Sequence, residues 1–334
     1  MIEQLRKATA TVLDLNQPAH TLRPEVIEIT TVLASSQAVW ATSQQDISRG
    51  ETQTSNGLAI SPTMAAMCAE DYVRTIAFIR GIHAAIVDVR NRLPDRPARV
   101  LYAGCGPYAT LAVPLMTLFS PAELTFTLLD IHPESIKSAK SIVDTLCLSD
   151  SVERFETVDA GSYRVNPDQA PDIILVEVMQ ACLESEPQVA ITRHLLSQAP
   201  NAILIPEEVR IEVQLVDPAK EFELDGLSPE GKPLQRDRIA AGPVFVVNRE
   251  SVNLWKHISG NRLPGLAVRI AESEGQRYQP MLFTKICTYQ KHILQDYDSA
   301  LTCPKTLSTE KTIKAGDTIQ FHYELGAHPR LRSQ

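Results

Sequence analysis

Apolar and polar residues alternate in three different ways along the chain, and each pattern predicts a different kind of structure. From residue 64 to residue 86, apolar side chains recur at spacings of three and four, as on one face of a long amphipathic helix. Residues 99–206 alternate short apolar runs with helical segments, which indicates βαβ units and a parallel sheet covered on both faces. After Pro206, segments such as Val209–Val216 alternate apolar and polar residues, as one-sided antiparallel strands do.

These changes of pattern divide the chain into three predicted parts. Residues 1–97 form an N-terminal helical segment that ends in the proline-containing linker Leu93–Pro97. Residues 98–206 form a Rossmann-like domain, and residues 207–334 form a C-terminal β-rich domain. The predicted fold class is therefore α/β: a Rossmann-like parallel-sheet domain with N-terminal helices and a C-terminal β barrel or sandwich.

The pattern also predicts individual elements. The predicted strands of the parallel sheet are Val100–Ala103, Phe126–Leu129, Val152–Val158, Ile173–Val176 and Ala202–Ile205. The helices predicted between them are Ala109–Phe119, Glu134–Leu146 and Gln188–Gln198. The predicted strands of the C-terminal part are Val209–Val216, Val244–Val247, Leu266–Ile270, Leu282–Thr288 and Thr318–Leu325.

Composition and charge narrow the class of protein. The chain has 334 residues, 44% of them hydrophobic, and a formal net charge of -8, which predicts a folded protein rather than a disordered one. The acidic balance argues against a nucleic-acid partner, and no run approaches the roughly 20 apolar residues of a membrane helix. The first residues lack a signal-peptide pattern and the six cysteines form no CxxC pair. We therefore expect a cytoplasmic protein with no metal site and no disulfide framework.

Two loops of the predicted parallel sheet have residues suited to a nucleoside. Gly104-Cys105-Gly106 follows the first strand and leads into a helix, where glycines allow a tight turn and a close approach of the backbone to a ligand. Asp130 ends the second strand, where a carboxylate can accept from both ribose hydroxyls. The alternatives are that the glycines merely make a turn and that Asp130 caps the following helix.

The order of these elements resembles that of the class I methyltransferases, which bind S-adenosylmethionine at this edge of the sheet. The resemblance places Asp159, after the third strand, at the adenine, although a turn residue before Gly161 is an equal alternative. Tyr102 stands where many of these enzymes have an acid. The cofactor contacts that the resemblance implies are Arg74, Gly104, Cys105, Gly106, Asp130, Ile131, Asp159 and Ala160.

The loop after the fourth strand carries two carboxylates, Glu177 and Glu186, that could hold a planar cation through paired hydrogen bonds. Its spacing resembles the E-x-M-x-x-x-x-x-x-E hairpin of the protein arginine methyltransferases, with Met179 at the methionine position. Asp71–Thr75 similarly resembles the D-x-V-R-T helix of that family, in which Arg74 would pair with the carboxylate of S-adenosylmethionine. The resemblance covers roughly residues 55–325 and implies that the N-terminal helices form a lid over the cofactor.

Other interpretations of these residues remain open. Glu184 and Glu186 could be first-turn residues of the next helix, where acids suit the helix dipole. Arg74 could be a surface cation beside Asp71. Glu177 is harder to explain structurally, because a carboxylate that ends an apolar strand needs a partner.

The chain departs from the family at two places. The family's Thr-His-Trp loop corresponds to Thr288–Lys291, with His292 slightly later, unless the register differs. Tyr289 and His292 are therefore candidate substrate-binding residues, in addition to Glu177, Met179 and Glu186. The hairpin's small and aromatic residues are also replaced, at Gln180, Ala181 and Ser185. The hairpin thus keeps the two carboxylates of the family motif, while the residues around them differ. This suggests a substrate that bears a guanidinium but is not a peptide arginine.

We therefore expect an S-adenosylmethionine-dependent N-methyltransferase that acts on a guanidino nitrogen of a small molecule such as L-arginine, with Glu177 and Glu186 as the catalytic residues. The alternatives are a protein or peptide arginine methyltransferase, a small-molecule O- or N-methyltransferase of natural-product biosynthesis, and a non-catalytic nucleoside-binding module. We expect no metal, no nucleic-acid partner and no membrane partner. By resemblance we expect a homodimer, for which the segment Glu221–Arg238 is a candidate arm.

Overall fold

The structure is a computed structural model that describes residues 1–37, 46–222, 236–271, 277–308 and 314–334. The α-helices are α1 (Ile2–Leu13), α2 (Arg23–Ser36), α3 (Pro62–Met67), α4 (Tyr72–Arg92), α5 (Val113–Met116), α6 (Pro133–Thr145), α7 (Gln188–Gln198), α8 (Pro218–Glu221) and α9 (Arg249–Leu254). The strands are β1 (Thr52–Gln53), β2 (Leu58–Ala59), β3 (Ala98–Ala103), β4 (Leu124–Asp130), β5 (Val152–Thr157), β6 (Ile173–Val176), β7 (Ile203–Ile205), β8 (Glu208–Val216), β9 (Arg238–Asn248), β10 (Arg262–Arg269), β11 (Gln279–Tyr289), β12 (His292–Leu294), β13 (Lys305–Thr306), β14 (Thr318–Glu324) and β15 (Arg330–Ser333).

A five-stranded parallel sheet forms the centre of the chain, in the order β5-β4-β3-β6-β7. Its strand β6 is buried at every position, as a strand covered on both faces must be, and this explains its unbroken apolar run. Ala103 pairs with Leu129 on one side and with Val176 on the other. The residues that follow these three therefore lie together at the carboxyl edge of the sheet, where the strand order reverses and a crevice forms.

The Rossmann-like part of the predicted fold class is confirmed, but two predicted helices differ. The single long helix expected from residue 64 to residue 86 is interrupted after α3, and α4 starts afresh because the Asp71 carboxylate accepts from the backbone N–H of Arg74 (3.4 Å) and caps it. The helix expected at Ala109–Phe119 shortens to α5, since Ala109 has a left-handed φ of 43° and Pro114 supplies no N–H.

A short hairpin, β1–β2, lies within the segment predicted to be helical. We call residues 52–59 the strap hairpin. Its Leu58 N–H donates to the carbonyl oxygen of Ser185 (2.8 Å), and its Gln53 Nε2 donates to the carbonyl oxygen of Ala327 (2.7 Å). The strap hairpin thus touches both other parts of the chain. Strands of two residues are too short to show an alternating pattern, so the sequence did not reveal it.

The C-terminal part contains two antiparallel sheets. One has the order β12-β11-β8-β9, with β13 also paired to β11, and the other has the order β10-β14-β15. Strand β8 alternates between buried and half-buried residues, as its sequence predicts. Within the described residues, no strand pairing joins the two sheets into a closed barrel, so the sheets are confirmed but the barrel is not.

One connected hydrophobic core includes residues from all three predicted parts, from Leu5 in α1 to Tyr323 in β14. The division at residues 97 and 206 therefore stays a prediction. Of the helices in the described ranges, none has the length and apolar character needed to cross a lipid bilayer.

The hydroxyl of Tyr323 offers a test of how the C-terminal sheets support the Glu177–Glu186 hairpin. This fully buried hydroxyl donates to the carbonyl oxygen of Leu183 (2.5 Å). We expect Tyr323→Phe to lower the free energy of unfolding by about 1–2 kcal/mol, because the Leu183 carbonyl loses its partner in a dry site. Urea denaturation would measure the loss. The control is Tyr278→Phe. The Tyr278 hydroxyl donates to the Asp237 carboxylate beside solvent, so its removal should lower the free energy of unfolding by less. Equal losses in the two variants would contradict the interpretation.

Candidate active site

A cleft with about 1030 Å³ of empty space opens at the carboxyl edge of the parallel sheet. It lies between the loops that follow β3, β4, β5 and β6, the start of α4 and the strap hairpin. The residues predicted to contact a cofactor all line it: Arg74, Gly104, Cys105, Gly106, Asp130, Ile131, Asp159 and Ala160. Glu177, Met179 and Glu186 line the same cleft, so the fold brings both predicted groups of site residues together.

The glycine loop after β3 has the backbone geometry that only glycine adopts without strain. Gly104 and Gly106 have φ values of 80° and 63°. A Cβ atom on Gly104 would lie 2.2 Å from Cγ1 of Val178, so this position also keeps the loop against the chain that follows β6. The glycines therefore do more than turn the chain: they let the loop pack closely against Val178, while the N–H groups of residues 104–106 donate to Leu129 and Asp130.

Asp130 holds the loops around the cleft and retains capacity for a ligand. Its Oδ2 accepts from the N–H of Gly106 (2.9 Å), and its Oδ1 accepts from the N–H of His132 (2.9 Å). The residue at the N-cap of α6 is His132, with no side-chain cap, so the alternative that Asp130 caps this helix is wrong. A carboxylate has about four lone-pair sites, and because Nδ1 of His132 also lies 3.3 Å from Oδ1, the site open to a ligand is on Oδ2.

Asp159 combines the two roles considered for it. Its Oδ1 accepts from the N–H of Gly161 (2.8 Å), as a turn residue would, while the side chain also lines the cleft. A Cβ atom on Gly161 would lie 2.5 Å from Nδ2 of Asn56 in the strap hairpin. The strap hairpin therefore packs closely against the loop that carries Asp159.

At the other end of the cleft, Arg74 and Glu177 form a buried ion pair, in which Nη2 of Arg74 donates to Oε2 of Glu177. Arg74 is thus not a surface cation beside Asp71. Burial works to lower the pKa of Arg74, but the neighbouring Glu177 carboxylate and the Cys68 thiol raise it above its ordinary value. The second oxygen of Glu177, Oε1, is buried without a hydrogen-bond partner in the described structure. Such an oxygen is costly unless a ligand pairs with it.

Glu186 lies beside this pair and is only 5% exposed. Burial, and then the charge of Glu177, raise the pKa of Glu186 to about 8. The residue precedes Pro187, the N-cap of α7, and its side chain lines the cleft, so it is not a surface residue of the first helical turn. Glu184 differs: its carboxylate pairs with Nζ of Lys305 (2.7 Å) and is 39% exposed.

The hairpin that carries both glutamates has an unusual backbone. Cys182, Leu183 and Ser185 have left-handed φ values of 61°, 56° and 67°, which cost energy for residues other than glycine. The surrounding chain supports these conformations: the N–H of Cys182 donates to Oγ1 of Thr284 (2.9 Å), and the N–H of Ser185 donates to the carbonyl oxygen of Pro329 (2.9 Å). The C-terminal sheets therefore set the geometry of the acidic hairpin.

Tyr289 and His292 lie outside the cleft. The Tyr289 hydroxyl donates to Oδ2 of Asp88 (2.8 Å), and Asp88 is about 21 Å along α4 from Arg74 at 1.5 Å per residue. Thr288, which precedes Tyr289, packs against Gly81 in the middle of the same helix. The β11–β12 turn thus covers the far end of α4, and the structure does not place these two residues at the substrate site.

A different segment of the C-terminal part lies beside the acidic hairpin. The turn at Ala300–Thr302 packs against the turn at Ala181–Leu183. Oδ2 of Asp71 accepts from the Oγ of Ser299 (2.7 Å) and from the N–H of Ala300 (3.0 Å). Ala300–Thr302, and not the β11–β12 turn, is therefore the segment of this region that packs against the acidic hairpin.

The cleft wall also includes His132 and Cys68, which no pattern in the sequence indicates. His132 Nε2 lies 3.2 Å from Oγ1 of Thr52, and its Nδ1 lies 3.3 Å from Oδ1 of Asp130, which links the strap hairpin to that carboxylate. Cys68 lies in the turn between α3 and α4, where burial, more than the charges around it, raises the pKa of its thiol. In the part of the chain that the structure describes, no group of three or more histidine, cysteine or acidic side chains is arranged to hold a metal ion.

Comparisons with known proteins agree with this architecture. One solved structure with a similar fold is described as the Trypanosoma brucei PRMT1 enzyme-prozyme heterotetrameric complex with AdoHcy. The match covers 78% of this chain and 87% of that chain, with a TM-score of 0.52 and 14% sequence identity. The chain has the PRMT fold. No family model and no curated protein sequence matches it, so the PRMT fold is visible in the structure and not in overall sequence similarity.

The raised pKa of Glu186 predicts a pH-dependent stability. The folded chain holds the Glu186 proton up to about pH 8, whereas an unfolded chain loses it near the ordinary glutamate pKa of about 4.3. The stability linked to this group is therefore fully present at low pH and falls as pH rises from about 4.3 to about 8.

We expect Glu186→Gln, which has no such proton to lose, to become progressively more stable than the natural chain across this window and to keep a constant advantage above it. Urea unfolding at pH 5, 7 and 9 would measure the difference. Glu250→Gln, at the exposed first turn of α9, is the control. A Glu186→Gln advantage that does not grow with pH would show that the carboxyl group is not desolvated.

Proposed function

We propose that this protein is an S-adenosylmethionine-dependent N-methyltransferase that acts on a guanidino nitrogen of a small molecule such as L-arginine. The observation that carries the proposal is the buried, unpartnered Oε1 of Glu177 beside the buried Glu186, at the end of a cleft whose other end suits a nucleoside. The AdoHcy in the PRMT1 complex, which shares the fold, supports the choice of cofactor.

The residues of the cleft fit this cofactor. Gly104 and Gly106 line the cleft, and Oδ2 of Asp130 retains a lone-pair site for a ribose hydroxyl. Asp159 would contact the adenine, and Arg74 would donate to the carboxylate of the methionine part. When bound, the cofactor supplies an electrophilic methyl group on a sulfonium.

The two glutamates would bind and orient the acceptor. A guanidinium is a poor nucleophile because its charge is delocalised over three nitrogens. Hydrogen bonds from two of its nitrogens to Glu177 and Glu186 concentrate positive charge there, so the third nitrogen keeps more lone-pair character. The clamp also aims that nitrogen, which is an orientation effect, and Glu186 is placed to accept the proton released as the new bond forms.

The contacts of the acidic hairpin favour a small acceptor over a peptide. Both backbone groups of Ser185 are already used within the chain: its N–H donates to Pro329 and its carbonyl oxygen accepts from Leu58 of the strap hairpin. A peptide could not pair with this position without displacing one of them. The PRMT fold itself favours the second candidate, a protein or peptide arginine methyltransferase, which the assay below separates from the first.

We also propose a homodimer, since the PRMT1 structure is a heterotetrameric complex and the fold is shared. The candidate arm, Glu221–Arg238, lies mostly outside the described residues. The cytoplasmic location stays a prediction, as do the expected absences of a metal, a nucleic-acid partner and a membrane partner.

The proposal is tested by incubating the purified protein with S-adenosylmethionine and two acceptor sets, followed by mass detection. One set contains L-arginine and other small guanidino compounds, and the other contains arginine-rich peptides. We expect a gain of one or more methyl masses in the first set only. Methylation of peptides alone would establish the second candidate, a protein or peptide arginine methyltransferase. The absence of methylation in both sets would contradict a guanidino acceptor.

Neutral replacements of the two glutamates test the clamp. We expect Glu177→Gln and Glu186→Gln each to lower turnover by at least about 100-fold, because each loses a charged hydrogen bond to the guanidinium, while both retain cofactor binding. Glu184→Gln is the matched control on the same hairpin, since its carboxylate pairs with Lys305 outside the cleft. Full activity of both clamp variants would rule out this mechanism.

Acceptor binding should also release a proton. Glu186, with its pKa raised to about 8, is mostly protonated at pH 7, and a guanidinium beside it favours the ionised form. Calorimetry of L-arginine binding at pH 7 in buffers of different ionisation enthalpy should therefore show release of close to one proton. The release should vanish in Glu186→Gln and at pH 9.5; a buffer-independent heat at pH 7 would contradict the assignment.

A further inference from the structure

A second, smaller pocket lies between the parallel sheet and the chain segment 163–171, and it shares no lining residue with the cleft. It contains about 300 Å³ of empty space. Its walls come from the amino-terminal portions of β3, β4 and β5 and from that segment. We call it the basic pocket, because its charged lining residues are two arginines, Arg99 and Arg154, and one carboxylate, Glu153.

The strand register explains why both arginines reach the basic pocket. Arg99 on β3 lies opposite Thr125 on β4, and Arg154 on β5 lies opposite Thr127. The pairing of β4 with β5 shifts just before Thr127, where Glu153 is one extra residue in β5, and such a bulge re-aims side chains. The two arginines therefore flank β4, on strands about 10 Å apart.

The chain itself does not satisfy these two guanidinium groups. Within the described residues, Nε of Arg154 is buried without a hydrogen-bond partner, and this side chain takes part in no ion pair. Nε of Arg99 is also buried and lies 3.5 Å from Oε1 of Glu153 without a hydrogen bond to it. That oxygen accepts instead from Oγ1 of Thr125 (2.7 Å). Since a buried donor without an acceptor is costly, the pocket is suited to a ligand that supplies acceptors.

Two buried hydroxyl groups add further donors. Thr127 and Tyr163 line the basic pocket and are 8% and 9% exposed. Burial raises the pKa of Tyr163, against the effect of the neighbouring Arg154, so the phenol stays protonated and able to donate. Donors are therefore available from all three strands and from the segment that covers them.

We propose that the basic pocket binds a small tetrahedral oxyanion, either phosphate or the phosphate group of a metabolite, with Arg99 and Arg154 as the charged donors. The oxygens of a phosphate point in four directions and can accept from several walls at once, whereas the acceptors of a carboxylate lie in one plane. A dianion also balances two guanidinium groups of which only Arg99 has a carboxylate nearby. This inference does not rest on the proposed methyl transfer.

The test is a calorimetric titration of inorganic phosphate into the purified protein at constant ionic strength. We expect a dissociation constant on the order of 0.1–1 mM for the natural chain. Binding should weaken at least about tenfold in Arg99→Gln and in Arg154→Gln, because each variant loses a charged hydrogen bond to the anion.

Arg164→Gln is the matched control. Arg164 follows Tyr163 directly but is exposed and does not line the basic pocket, so this variant should bind phosphate as the natural chain does. No binding by the natural chain would overturn the proposal. Equal binding by all four proteins would overturn it too, because the phosphate would then lie elsewhere.

Thermal unfolding distinguishes a lost site from a lost fold. Phosphate at ten times its dissociation constant should raise the Tm of the natural chain and of Arg164→Gln by about 2–4 °C, and that of Arg154→Gln by less than about 1 °C. Without phosphate, Arg154→Gln should be at least as stable as the natural chain, because it removes a cation that the chain does not pair. A large loss of stability in this variant without phosphate would overturn the proposal, since the chain itself would then hold the guanidinium.

A series of anions tests the shape of the ligand and its source. Sulfate should bind within about threefold of phosphate and acetate at least about tenfold more weakly, whereas acetate binding as tight as that of phosphate would overturn the tetrahedral assignment. Glycerol 3-phosphate distinguishes the two sources. Binding as tight as that of phosphate supports the phosphate group of a metabolite, and at least about tenfold weaker binding supports the free ion.

Discussion

The buried ion pair between Arg74 and Glu177 is the interaction around which the site is organised. A carboxylate at the end of a fully buried strand is tolerated only with a compensating charge, and breaking such a pair by removing one partner is expensive. The pair therefore fixes the start of α4 against the carboxyl edge of the sheet. Because one oxygen of Glu177 remains without a partner, the same interaction leaves a buried acceptor in the cleft.

The acidic hairpin depends on all three parts of the chain. Its left-handed residues are held by Thr284 and Tyr323 of the C-terminal sheets, and Ser185 is held by Pro329 and the strap hairpin. Without these contacts, the strained backbone could relax and move the two carboxylates apart. The positions of the two carboxylates therefore depend on the antiparallel part of the chain.

Electrostatics underlies the proposed chemistry. The desolvation that raises the pKa of Glu186 also strengthens the electrostatic interactions between the charged groups in the cleft. A site that is neutral when free, with one proton on Glu186, can take a guanidinium by releasing that proton.

The sequence by itself determined the elements with a strong local pattern and the residues that follow them. The unbroken apolar run of β6 reports burial on two faces and the alternation of β8 reports burial on one face, so both strands were predictable. The ends of the apolar runs of β4 and β6 located Asp130 and Glu177. Tertiary structure decided what depends on contacts between distant residues. Tyr289 lies outside the cleft, and only packing shows that the β11–β12 turn covers the far end of α4 while Ala300–Thr302 packs against the hairpin. His132 and the Arg74–Glu177 pair join chain positions about 80 and 100 residues apart, and no local pattern encodes such contacts.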